Sequence, residues 1–154
     1  MNFIKVAQFA DIEAEFLRRV NAVVWCNVAT IATNNRPRSR IMHPYWEGAT
    51  GWAVTRPTSH KVKHLAHNAY VSLAYVQDVA NPVFADCRAE WVDDLDEKRR
   101  IWDTLKTTPP PMGFDPGTMF KSVDDEGFGL LKFTPWRIEV SYFPKEAHIW
   151  HAEA

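Results

Sequence analysis

The sequence predicts a mainly β fold with few helices, in which six to seven short antiparallel strands curl into a barrel. Three observations predict it. Runs rich in β-branched and aromatic residues recur at close spacing between turn signals. Only three segments carry a helical pattern. Seven Trp and nine Phe supply the planar bulk that a β-rich core or a flat ligand uses. Antiparallel sheets of this kind tend to close, because closure removes their edges. A chain of 154 residues can bury one substantial core, and no linker, repeat or low-complexity tract divides it. Residues 1–154 therefore read as a single domain.

Each element has its own signal. Residues 11–24 form an amphipathic helix: Asp11 caps it, Glu13 and Glu15 lie in the first turn, and Arg18 and Arg19 lie towards its end. Ile12, Phe16, Val20 and Val23 make its apolar stripe. Val24 to Thr33 is a strand, Asn34 to Pro37 a turn, and Arg38 to Trp46 the return strand. A Gly-containing turn leads into Trp52 to Thr55, completing a three-stranded meander. Pro57 breaks the chain, and Ser59 caps a short helix to about His67. Tyr70 to Val76 and Val83 to Val92 are strands, the second alternating Ala85, Cys87, Ala89 and Trp91 against Asp86, Arg88 and Glu90. A helix over Asp94 to Leu105 follows. Thr107 to Gly127 is a long Pro- and Gly-containing excursion, of the length that is often functional. Gly129 to Phe133 and Trp136 to Tyr142 finish as two strands.

Composition excludes several classes. No run approaches the roughly 20 apolar residues of a membrane span, and charged residues interrupt the N-terminal stretch where a signal peptide would lie. Cys26 and Cys87 match no metal or redox spacing and read as buried free thiols. A cytoplasmic location is expected. The net charge of −1 hides a segment, Asn34 to Gln77, whose six Arg and Lys face a single carboxylate, Glu47, giving about +5. Such clustering suggests an anionic partner. Nucleic acid is not expected, because the segment lacks interleaved basic and aromatic residues and the isoelectric point is near neutral.

Thr55 and the run Ser59-His60-Lys61 flank a Pro-containing loop that enters a helix. Helix N-termini present free N–H groups and partial positive charge, so a hydroxyl on each side and a Lys in the first turn suit a phosphate. Arg40 on the preceding strand offers a bidentate partner. The same residues also suit an ordinary capped helix with solvated cations. His60, His64 and His67 share a helical spacing, but Lys61 and Lys63 beside them oppose a cation, and no metal is expected.

The stretch from Asn34 to Val76 resembles the pyridoxamine 5′-phosphate oxidase-like, FMN-binding split β-barrel family, in the style of its short general stress protein members. The likeness rests on Arg36-Pro37-Arg38-Ser39-Arg40-Ile41-Met42, on Thr55 followed by Ser59-His60-Lys61, and on Asn68-Ala69-Tyr70-Val71-Ser72-Leu73. Cys87 to Glu90 and Pro135 to Val140 match more loosely. The resemblance implies that Arg40 and Lys61 hold the FMN phosphate, and that Ile41, Met42 and His43 run along the isoalloxazine ring. It places Thr55, Ser59 and His60 near the ribityl-phosphate end, and implies a homodimer with the cofactor at the subunit interface.

Departures matter equally. Asn81-Pro82 stands where the oxidase has a flavin-contacting Gln, and Ser141 and Ala147 to His151 lack its Trp and its Arg pair. Oxidation of pyridoxamine 5′-phosphate is therefore not expected. The expected function is an FMN-dependent oxidoreductase, flavin-reductase-like, acting on a small molecule. No catalytic side chain is singled out. The alternatives are a deazaflavin coenzyme in the same fold, or a protein that binds or senses flavin or haem without turnover.

Overall fold

In a computed structural model, which describes residues 1–153, the chain opens with strand β1 (Asn2–Val6) and a 3₁₀ turn (Phe9–Asp11). Helix α1 (Glu13–Val23) leads to β2 (Cys26–Ile31), β3 (Pro37–Met42), β4 (Tyr45–Glu47) and β5 (Thr50–Thr55). Helix α2 (His60–His67), β6 (Tyr70–Tyr75), β7 (Val83–Trp91) and α3 (Leu95–Thr107) follow, then β8 (Gly129–Tyr142) and β9 (Glu146–His151). Among the described residues the hydrogen-bonded path runs β1-β9-β8-β7-β6-β2-β3, with β5 also on β8 and β4 on β5. The fold is mainly β, with nine strands where the sequence suggested six or seven. One pair, β1 with β9, is parallel. The path ends at β1 and β3 without closing, so this is an open, mixed sheet.

Four differences from the sequence reading have physical causes. The first helix starts later, because Asp11 is spent on the 3₁₀ turn, where its carboxylate accepts from the Gln8 amide at 2.9 Å. The expected return strand breaks at His43-Pro44, since Pro44 lacks the N–H that a central strand position needs. Its halves part company: β3 pairs with β2, and β4 with β5, so the three-stranded meander is two separate hairpins. The two expected C-terminal strands are one, β8. Pro135 fits inside it because the register with β7 shifts between Asp86 and Cys87, and a bulge tolerates a missing donor. Finally, β1 and β9 carry too little alternation to stand out.

The long strand β8 organises the site. Its first half pairs with β5 and its second half with β9 along the same edge, while β7 lines its other edge throughout. The sheet therefore divides along that edge into β5 with β4 and β9 with β1, and His43-Pro44 separates β4 from β3. One core lies within the curl, where Phe16 and Val20 of α1 pack on Val28, Leu73, Ala85 and Phe133. A second joins Trp52 and Leu130 to Ile101 and Leu105 of α3 and to Phe120 of the long excursion. That excursion is consequently packed, not free.

Helix α1 is tied down by charge as well as burial. Arg19 is buried and donates to the Ser141 carbonyl at 2.5 Å and to Glu15 at 2.7 Å. Hydrogen bonding from Arg18, reinforced by Arg19, outweighs burial and holds the Glu15 carboxyl down to about 2 from an ordinary 4.5. A depressed carboxylate contributes stability above its unfolded value and loses it as pH falls towards its folded one. Between pH 4.5 and 2, urea unfolding should thus show wild type losing stability more steeply than Glu15→Gln.

Candidate functional site

The parting of β3 from β4 leaves a cleft of about 400 Å³. Ile41, Met42 and His43 come from the end of β3, Val54 and Thr55 from the end of β5, and Lys61 from the first turn of α2. These bring together five of the eight residues singled out in the sequence. Trp25, Phe114, Thr118 and Met119 complete the wall. Sequence reasoning missed these four, because contacts from an irregular excursion and from the residue before a strand leave no periodic signal. Its size falls within the range of small-molecule sites, roughly 300–1,000 Å³.

The other three candidates sit beside the cleft without lining it. Arg40 points into the curl, where its Nη1 donates to Thr30 Oγ1 at 2.7 Å and its Nη2 lies 3.4 Å from His64 Nδ1. Thr30 Oγ1 also lies 2.9 Å from that nitrogen. Two donors thus converge on one imidazole nitrogen, which fits neutral His64 with Nδ1 as acceptor. Burial, then Arg40, lowers the His64 pKa, in agreement. Ser59 occupies the N-cap position of α2 but makes no capping bond, and its hydroxyl is buried without a partner. His60 is exposed at the start of α2. The three helix imidazoles diverge, His64 inwards and His67 onto Asn35 at 2.7 Å. Among the described residues no group of three His, Cys, Asp or Glu is placed to hold a metal ion.

The electrostatics are one-sided. Burial first, and then Arg40, lowers the Lys61 ammonium; burial and then Arg38 does the same to Arg40. Among the described residues none that lines the cleft is acidic, and no ion pair with a carboxylate engages either cation. Partly buried cations without a counter-charge are costly. A bound anion would offset that cost, and the unpartnered Ser59 hydroxyl would gain a partner. These residues fit a phosphate.

The aromatic wall is held in place by the backbone. The His43 ring lies 5.1 Å from Trp25 and 5.3 Å from Phe114, and its Nε2 is covered and unpartnered. Burial lowers its pKa, partly offset by the main chain of Met112. Phe114 is fixed by its amide, which donates to the Leu105 carbonyl at 3.0 Å. The neighbouring Gly113 must be glycine, since a Cβ there would lie 1.9 Å from the Thr108 carbonyl oxygen.

This arrangement can grip a flat, phosphorylated molecule between an apolar wall and a basic shoulder. The pyridoxamine 5′-phosphate oxidase family model matches residues 12–141. The chain belongs to that family. It is similar to a protein related to general stress protein 26 from Clostridium acetobutylicum, at 19% identity and a TM-score of 0.72, over 94% of this chain and 96% of that one. A pyridoxamine 5′-phosphate oxidase-related, FMN-binding protein from Nostoc punctiforme is 14% identical with a TM-score of 0.67, over 96% and 92%. The heme storage protein from Vibrio cholerae is 13% identical with a TM-score of 0.63, over 84% and 94%. At such identities the likeness carries the fold. No curated protein matches the sequence. Among the described residues no helix is long and apolar enough to cross a membrane.

Proposed function

We propose that the cleft binds FMN and that the chain is an FMN-dependent oxidoreductase, working as a homodimer. One observation carries the reading: Arg40 and Lys61, partly buried and without a carboxylate, beside an apolar, aromatic-walled cleft. In this reading Lys61, Arg40 and Ser59 hold the phosphate, and Met42, Val54 and Thr55 support the ring and ribityl chain. When bound, FMN supplies the redox chemistry, while the chain supplies position and electrostatics. Family membership and an FMN-binding relative support this. Haem fits less well, since it needs an axial ligand and the cleft's own imidazole has its Nε2 covered. A deazaflavin coenzyme also carries a phosphate that would meet the same cradle, and differs in its ring and in what extends beyond that phosphate.

The dimer reading has support of its own. Strand registers put Ile41, Asn27, Ala74 and Phe84 in one row on the outer face of the sheet, and Ser39, Ala29, Ser72 and Asp86 in the next. Ile41 is 65% exposed there. A face that mixes Ile41, Phe84 and alanines with small polar side chains suits the same face of a second copy. Sedimentation of FMN-loaded protein at micromolar concentration should give a dimer; a cofactor-bearing monomer contradicts it. Stopped-flow mixing with a nicotinamide donor should bleach the bound flavin, and a flavin that stays oxidised indicates storage or sensing instead.

A further inference from the structure

The phosphate cradle does not account for the turn at Val24-Trp25. Val24 is β-branched and buried, yet its φ is +57°, where such side chains crowd the backbone. The Trp25 amide donates to the Val23 carbonyl at 2.8 Å, closing a tight three-residue turn of a rare and strained kind. Strain of this sort persists where the surrounding structure holds it, and it gathers at ligand sites. Its consequence here is specific. Trp25 is turned out to 57% exposure at the open side of the cleft, with its ring against His43. His43 in turn meets Phe114, so three rings form one continuous wall. Among the described residues the only charged side chain lining the cleft is Lys61, with Arg40 close behind it. Without a bound phosphate that charge would repel a cationic guest; with FMN bound the phosphate offsets it.

We propose that Trp25 is the platform on which a flat aromatic substrate rests beside the cofactor. This rests on the flavin reading, because it assigns the remaining open wall of the same cleft to the substrate.

The test is calorimetric titration of FMN-loaded and cofactor-free protein with three redox-inert probes: 2-naphthoate, cyclohexanecarboxylate and 2-naphthylmethylammonium. The first is flat and anionic, the second anionic without a ring face, the third flat and cationic. Aromatic stacking losses on truncation correspond to about tenfold in affinity. 2-Naphthoate should bind about tenfold more tightly than cyclohexanecarboxylate in both forms, and than 2-naphthylmethylammonium in the cofactor-free form, and Trp25→Ala should lose about that factor. Trp25→Phe should stay within about threefold of wild type, since a ring face remains. Val24→Gly, which keeps the indole but frees the turn, should also weaken 2-naphthoate. In Trp25→Ala and Val24→Gly, FMN should lose less affinity than 2-naphthoate, because Lys61 and Arg40 still hold its phosphate, and sedimentation should not change. An equal loss of FMN affinity in Trp25→Ala overturns the proposal, because the indole then serves the cofactor. If FMN binds and 2-naphthoate ignores Trp25, the platform fails alone. If FMN does not bind but 2-naphthoate still depends on Trp25, the flavin reading fails and the platform stands.

Discussion

Lys61→Ala is expected to weaken FMN binding by roughly ten- to a hundredfold. A charge-assisted hydrogen bond to phosphate contributes on the order of 1.5–3 kcal/mol, and each 1.4 kcal/mol is one decade. The structure sharpens this expectation. Lys61 lines the cleft itself, whereas Arg40 stands behind it, tethered to Thr30 and near His64. Arg40→Ala should therefore weaken FMN as well, and Thr30→Val should reproduce part of that loss by releasing the guanidinium. Lys98→Ala, on α3 and away from the cleft, is the control. Riboflavin has the same ring without the phosphate, so the losses at Lys61 and Arg40 should shrink for it. Fluorescence titration of stripped protein with both flavins measures this. Equal losses for FMN and riboflavin would mean that the two cations support the fold and not a phosphate.

Phe16→Ala is expected to be the most damaging single truncation on α1. Phe16 is fully buried, meets Trp46 edge-on at 5.0 Å and Phe9 at 5.8 Å, and joins α1 to the interior of the curl. Removing such a ring typically costs about 3–5 kcal/mol, the transfer loss plus the cavity left behind. At about 2–4 °C per kcal/mol for a chain of this size, the thermal midpoint should fall by roughly 6–20 °C. Scanning calorimetry with FMN in excess and without it checks the value. A fall below about 1 kcal/mol would mean that the helix does not close this core.

Much of this architecture was legible in the residues, and the reasons are specific. Strand β7 alternates strictly, and Ala85, Cys87 and Ala89 are buried as that alternation requires. Helix α3 carries its own start signal, Asp94, whose carboxylate accepts from the Asp96 and Glu97 amides at 2.8 and 3.1 Å. The Ser59-to-Lys61 run announced α2 because a Pro-containing loop precedes it. What failed were features decided by tertiary pairing. Pro135 read as a strand break, because a bulge opposite Asp86 and Cys87 cannot be seen from one strand alone. Pro44 was read through as part of one strand from Arg38 to Trp46, yet the chain breaks there, and that break is what opens the cleft.

The site divides along the same line. Ile41, Met42, His43, Thr55 and Lys61 were found because local motifs carry them, and they do converge. Trp25 was hidden at the head of a strand, and Phe114, Thr118 and Met119 lay in an excursion with no period. Their contribution depends on how the excursion folds onto α3, through the Phe114 amide and the close approach at Gly113. Ser59 was expected to cap its helix. Its buried hydroxyl instead lacks a partner, which only the fold could reveal.

The central claim is that a phosphorylated flavin occupies this cleft. The most direct measurement is the absorption spectrum of the purified protein, with the mass of the small molecule released on denaturation. A yellow protein releasing about one FMN per chain, whose content drops in Lys61→Ala, is the predicted result. Release of haem, or of a flavin without a phosphate, would contradict the account.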